Sequence, residues 1–249
     1  MTMKIKIHNI GSGSKGNATF ISDGETNILV DLGVSKERIN EGLNEIGKTI
    51  DDIDYAFFTH DHNDHIKNFN LINESKRYAL KDTIPLDLTH TLSPYKEYTF
   101  GTFIVKPIST SHDATNPCGY VFKVGEEKLV YLTDSGRIPI KTFREMKDAD
   151  IYFIESNYDD NMLFHSGRPS FLIERIFSNH GHLSNTQSAT YIAKLISNKT
   201  KKIILAHLSE DCNREEIALA THKKVYDEFG ISLDGVELIC AKQRESTTV

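Results

Sequence analysis

His60-Asp61-His62-Asn63-Asp64-His65 places five metal-binding side chains within six residues. Four of them, His60, His62, Asp64 and His65, spell H-x-H-x-D-H, a density that no structural zinc finger uses. No cysteine lies nearby, so a closed thiolate site is excluded. Imidazole and carboxylate ligands suit zinc first, with manganese or iron as alternatives. Two pairs of ligands on one loop can serve two adjacent cations, His60 and His62 pointing one way and Asp64 and His65 the other. A polar loop that collects histidines by chance does not assemble four ligands this tightly.

The surroundings of this cluster repeat one theme. Tyr55 to Thr59 is a short apolar strand that runs directly into His60. Phe103 to Ile108 is another, ending a few residues before His112. Tyr120 to Val124 and Lys128 to Leu132 read as a hairpin through Gly125, the second strand ending at Asp134. Lys202 to Ala206 ends at His207. Strand ends of one sheet gather at one edge, and rigid strands hold ligands to a fixed geometry. Seven side chains thereby become candidates for two cations: His60, His62, Asp64, His65, His112, Asp134 and His207, with Asp134 bridging.

Further out, Lys4 to Ile10, Ala18 to Ser22, Asn27 to Val30, Ile151 to Glu155 and Val236 to Cys240 alternate or run apolar as strands do. Helices are expected over Ser35 to Ile46, Phe171 to Phe177, Ser184 to Ser197 and Asn213 to Phe229. The third opens on a Ser184/Gln187 capping box. Gly11, Gly13 and Gly16 spell G-x-G-x-x-G after a strand, but a dinucleotide-binding turn needs a helix next, and Asn17-Ala-Thr-Phe-Ile-Ser reads as a strand. The loop is therefore taken as a tight turn whose N–H groups can approach an anion. No linker, repeat or low-complexity stretch interrupts the chain, so a single domain over 1–249 is expected.

Composition narrows the classes. At 249 residues, 39% apolar and 26% charged, the chain is an ordinary globular one. It shows no apolar run of membrane-span length and no signal-peptide pattern, which predicts a cytoplasmic setting. Cys118, Cys212 and Cys240 are too scattered for a disulfide framework. A net charge of −6 with no Lys/Arg-rich segment argues against a grip on extended nucleic acid.

Thr59-His-Asp-His-Asn-Asp-His65, Ser111-His112-Asp113, Thr133-Asp134-Ser-Gly136 and Leu205-Ala-His207-Leu-Ser209 together resemble the metallo-β-lactamase superfamily, almost end to end. The resemblance implies an α/β fold, the αββα sandwich, with a dinuclear metal site at the sheet edges. Gly11-Ser-Gly-Ser-Lys-Gly-Asn17, Glu155-Ser-Asn157 and Gly181-His-Leu-Ser-Asn185 narrow it to something similar to the YycJ/WalJ group of phosphodiesterases. Tyr158 departs from that group, where a histidine is frequent. The Gly-His-Leu-Ser stretch also resembles a motif of RNase Z and RNase J, which implies that His182 contacts the scissile phosphate or protonates the leaving group. Ser14, Asn17, Asn157, His182 and Ser184 are the expected substrate contacts.

The expected chemistry is two-metal phosphodiester hydrolysis. Two divalent ions per chain, zinc first and manganese second, would lie about 3.5–4 Å apart and share a hydroxide. Asp64 would orient the nucleophile, and His182 would assist the departing alkoxide. For the substrate, the acidic charge, the short stretch from His65 to His112 and a resemblance to the phage-borne anti-Pycsar phosphodiesterases point to cyclic mononucleotides. That resemblance implies cCMP and cUMP, with cAMP and cGMP as further candidates, as a counter to antiviral signalling in the host cytoplasm. It also implies a homodimer. A YycJ/WalJ-like DNA exonuclease is the alternative.

Overall fold

The computed structural model describes residues 4–85 and 88–249. The chain folds as two compact units, Met1–Ser109 with Ala114–Glu127 and Ala241–Val249, and Thr110–Asp113 with Lys128–Cys240. The first unit carries β1 (Lys6–Gly11), β2 (Ala18–Ser22), β3 (Asn27–Val30), α1 (Lys36–Glu45), β4 (Tyr55–Phe58) and α2 (Asn63–Ile66). It continues through β5 (Arg77–Leu80), β6 (His90–Leu92), β7 (Tyr98–Phe100), β8 (Phe103–Ser109) and β9 (Cys118–Val124). The second carries β10 (Glu127–Leu132), α3 (Ile140–Met146), β11 (Ile151–Glu155), α4 (Asp160–Phe164), α5 (Ser170–Phe177), α6 (Asn185–Ala193), β12 (Lys202–Ala206), α7 (Glu215–Glu228) and β13 (Glu237–Cys240). A last short strand, β14 (Thr247–Thr248), returns to pair with β1. Two mixed seven-stranded sheets result, one of β1 to β6 with β14, the other of β7 to β13.

In the first unit β1, β2 and β3 are antiparallel, and β4, β5 and β6 then add in parallel. The Tyr-Ala-Phe-Phe run of β4 is flanked on both sides, which is why it shows no alternation. Phe57 of β4 meets the rings of Phe100, Tyr120 and Phe122 at centroid distances of 5.0, 5.3 and 5.9 Å. Ser35 caps α1 by accepting the Arg38 N–H at 3.2 Å, and Ile39 and Leu43 form the buried stripe that the 3.6-residue period predicts.

In the second unit β10 to β13 run parallel, with Leu132 opposite Ile154, Ile154 opposite Leu205 and Leu205 opposite Cys240. This register brings three strand ends level. Asp134, Glu155 and His207 follow within two residues of the paired positions, so one sheet edge gathers them. Three of the four expected helices shorten at their ends, while α5 begins one residue earlier than expected, at Ser170. The stretch Ser184 to Ser197 is helical only over Asn185–Ala193, where Lys194 caps the last turn. α3 and α4 were not foreseen, and neither were β5, β6, β7 or β14.

Candidate metal centre

The cluster in the first unit is built by three elements. β4 delivers Thr59 and His60, β3 delivers Asp31, and α2, with His62 at its N-cap, carries the part-exposed Asp64 and the buried His65. Asp31 takes a left-handed backbone, φ 59°, which aims its carboxylate back across the strand ends. That carboxylate accepts the Thr59 N–H at 2.9 Å, the Thr59 hydroxyl at 2.9 Å and Nδ1 of His65 at 2.8 Å. With Nδ1–H committed to Asp31, His65 presents Nε2 as its ligand atom. The Asn17 amide nitrogen lies 2.9 Å from that nitrogen, and the Asn17 backbone N–H donates to the Asp64 carbonyl at 2.8 Å. The His60 ring lies 4.7 Å from the His62 ring and 4.0 Å from the His65 ring, with Nδ1 3.0 Å from the Thr59 hydroxyl. The Gly11–Asn17 loop is therefore tied to the histidine cluster, and β2 follows it where a dinucleotide site would need a helix.

The second set centres on Glu155, a fully buried residue. One carboxylate oxygen lies 2.7 Å from His182 Nδ1 and 3.2 Å from His207 Nδ1; the other accepts the N–H groups of Ser135 at 3.0 Å and Leu183 at 3.1 Å. Burial alone pushes this carboxyl up, but the His182 charge and the two imidazole hydrogen bonds outweigh it, so its pKa lies below the ordinary carboxylate value. His112 donates Nδ1–H to the Gly181 carbonyl at 2.9 Å, and burial lowers its pKa and keeps it neutral. Gly181 is obligatory here, because a Cβ would lie 2.1 Å from the Ile176 carbonyl oxygen. Asp134 and His207 both sit at positive φ, 53° and 55°, a strained backbone of the kind that accumulates at functional sites.

These side chains fit a divalent cation. His65, His112 and His207 each have Nδ1 engaged by a carboxylate or carbonyl, which fixes the neutral tautomer and turns Nε2 outward as a ligand. His207 Nε2 lies 3.4 Å from Asp134 Oδ1. Two ligands at about 2.0 Å from a tetrahedral zinc ion stand about 3.3 Å apart, so this spacing suits one coordination edge. Ligand atoms of Asp134, Glu155, His182 and His207 all fall within 4.8 Å of one another. The donor set is nitrogen and oxygen only, as expected for zinc or manganese.

The structure brings His60, His62, Asp64 and His65 together in the first unit and His112, Asp134 and His207 in the second. Among the expected substrate contacts, His182 is part-exposed beside Glu155, and Ser14 is exposed on its loop. Asn17 and Asn157 direct their amides at the histidines, Asn157 donating to the His207 carbonyl at 2.8 Å. Ser184 caps α6 by accepting the Gln187 N–H at 3.2 Å. Two residues were missed by sequence reasoning, Asp31 and Glu155. Each ends an apolar strand, so the same strand-end signal that selected Asp134 marks them both.

Comparison with known proteins agrees with this geometry. The beta-lactamase superfamily domain matches residues 26–208, and the chain belongs to that family. It is 31% identical over 242 residues to the exodeoxyribonuclease WalJ of Streptococcus pneumoniae, covering 90% of each chain. It is 32% identical over 237 residues to the exodeoxyribonuclease YycJ of Bacillus anthracis, again covering 90% of each. Among solved structures it resembles the metallo-beta-lactamase fold protein YhfI from Bacillus subtilis, with TM-score 0.72, 17% identity and coverage of 98% and 99% of the two chains. The chain thus has the metallo-β-lactamase fold and is a hydrolase-fold protein of the YycJ/WalJ kind. Among the described residues, no helix is long and apolar enough to cross a membrane.

Proposed function

We propose that this protein is a metal-dependent phosphodiesterase that removes nucleotides from DNA ends, with ligands drawn from His60, His62, Asp64 and His65 and from His112, Asp134 and His207. The observation that carries the substrate is the likeness to proteins named exodeoxyribonucleases, which extends over nine-tenths of the chain. Two bound divalent ions would supply a water acidified toward neutrality and neutralise charge on the phosphoryl oxygens.

The chain's own groups do the rest. Glu155 stays ionised and holds His182 by Nδ1, so the opposite edge of the ring is the one to meet the phosphodiester. His182 donates a proton from its free edge to the departing oxygen and is left neutral, while the Glu155 carboxylate keeps the ring oriented through Nδ1. Asp64 orients the attacking water. Ser14 and Asn157 contact the substrate, with Asn17 and Ser184 shaping the loops beside it. A homodimer in the cytoplasm belongs to the same proposal.

One observation favours a second reading, hydrolysis of cyclic mononucleotides such as cCMP and cUMP as a phage-type counter to defence signalling. The net charge of −6 suits a ligand with a single phosphate better than a long polyanion. The two readings separate when equal phosphate concentrations of end-labelled single-stranded DNA, duplex DNA and each 3′,5′-cyclic mononucleotide are offered to one preparation. Mononucleotides released from DNA with cyclic nucleotides intact support the exonuclease; the reverse pattern overturns it in favour of the second reading.

A further inference from the structure

Behind the Glu155 edge lies a closed run of buried polar side chains that the proposed chemistry does not use. Ser156, Asn185, Asn213, His222 and Tyr226 are each 2% exposed or less. Their donor and acceptor inventory allows one consistent assignment. Ser156 Oγ lies 2.6 Å from Asn185 Oδ1, which can only accept, so the serine proton points there. The contact of 3.2 Å between Ser156 Oγ and His222 Nε2 then requires the imidazole to donate. His222 is neutral, since burial lowers its pKa to about 3, and with its proton on Nε2 its Nδ1 must accept. The Tyr226 hydroxyl, 2.9 Å away and one helical turn on, is the donor. The direction runs Tyr226 to His222 to Ser156 to Asn185 without a break.

The run ends on the metal-binding edge. Asn185 and Asn213 exchange amide hydrogen bonds at 2.9 Å, and the Asn213 amide also donates to the carbonyls of Ser156 at 2.9 Å and Asn157 at 3.1 Å. Ser156 and Asn157 are the two residues after Glu155. Asn157 in turn donates from its side chain to the His207 carbonyl at 2.8 Å and lies 3.2 Å from His207 Nδ1. Backbone bonds close the frame, Ser156 N–H to the Ala206 carbonyl at 2.9 Å and Ser209 N–H to the Asn157 carbonyl at 2.8 Å.

We infer that Tyr226, His222, Ser156, Asn185 and Asn213 form a positioning device that sets the orientation of His207 through Asn157, an inference that rests on His207 being the metal ligand assigned under the proposed function. None of the five is a catalytic residue. Their effect reaches the site through a hydrogen-bond chain with one direction, so removal of a single proton at its start is felt at its end.

The test uses Tyr226→Phe and Ser156→Ala, which keep the packing shape and delete one hydroxyl each. Imidazole nitrogen resonances of His207 and His222 are recorded in the full-length, metal-free protein, and zinc affinity is then measured by competition with a chromophoric chelator. In Tyr226→Phe the expected result is loss of the single His222 tautomer, a shift of the His207 ring resonances and zinc affinity lower by about tenfold. Ser156→Ala is expected to shift His207 in the same way with little change at Tyr226. Resonances of His207 and zinc affinity equal to wild type in both variants overturn the proposal, even if the thermal midpoint falls, because the network is then packing alone. A wild-type protein that binds no zinc contradicts the proposed function instead, and the metal-free resonances still decide the network.

Discussion

Glu155 holds Nδ1 of His182 at 2.7 Å and Nδ1 of His207 at 3.2 Å through the same carboxylate oxygen. One buried acid thereby orients both a proposed metal ligand and the proposed proton donor. Glu155→Gln keeps the volume and removes the charge, and turnover is expected to fall about 10–100-fold. The sign of its pH effect follows from the lowered pKa. A carboxyl whose folded pKa is depressed adds stability above its unfolded value and loses it as pH falls through the folded one. Thermal midpoints of the wild type should therefore decline below the ordinary value of 4.5, and Glu155→Gln should flatten that decline.

Asp31 behaves in the opposite sense. Burial raises its pKa, and the His65 contact pulls back only part of the shift. The ionised carboxylate then costs stability once pH rises past its unfolded value. Asp31→Asn should leave the thermal midpoint of metal-free protein at pH 7 unchanged or higher. Zinc affinity should drop about 10–100-fold, because His65 loses the carboxylate that fixes its tautomer. A chelator competition alongside calorimetry checks both halves.

Gly33 sets a steric limit beside the cluster. A Cβ there would fall 1.6 Å from the Asp64 carbonyl oxygen, a backbone atom that is held in place by Asn17. Gly33→Ala is expected to destabilise by about 3 kcal/mol or more, since no side-chain rotation relieves the clash. Urea denaturation gives the magnitude.

His182→Ala and the pair Asp64→Ala with His65→Ala separate roles. The first should reduce turnover far more than metal content; a variant that purifies without metal would make His182 a ligand. The double variant should abolish hydrolysis while its circular dichroism stays that of a folded protein. Full activity in it would contradict the two-metal mechanism.

Much of this was legible before any coordinates. The H-x-H-x-D-H run and the strand ends at His60, Asp134 and His207 picked out the candidate ligands that the fold gathers, because short apolar runs of the β4, β10 and β12 kind stand out once a histidine or acid terminates them. Asp31 and Glu155 escaped for a physical reason. Both end apolar strands and so carry the strand-end signal, but they face the Nδ1 side of histidines rather than open space, and no histidine neighbours them in sequence to mark that role. β6 and β7, three residues each, are too short to show a period, and α2 is hidden inside the metal motif. The directional chain from Tyr226 to Asn185 is invisible in sequence, because four polar residues spread over 71 positions share no motif until the fold closes them together.

The central claim is hydrolysis of a phosphodiester by groups that work only with a metal bound. The direct measurement is release of mononucleotides from single-stranded DNA by purified protein, followed before and after exhaustive chelation and again after zinc or manganese is restored. The account predicts activity that disappears with the metal and returns at a stoichiometry of two ions per chain. Hydrolysis that survives chelation, or a protein that takes up both ions and cleaves no phosphodiester, would contradict it.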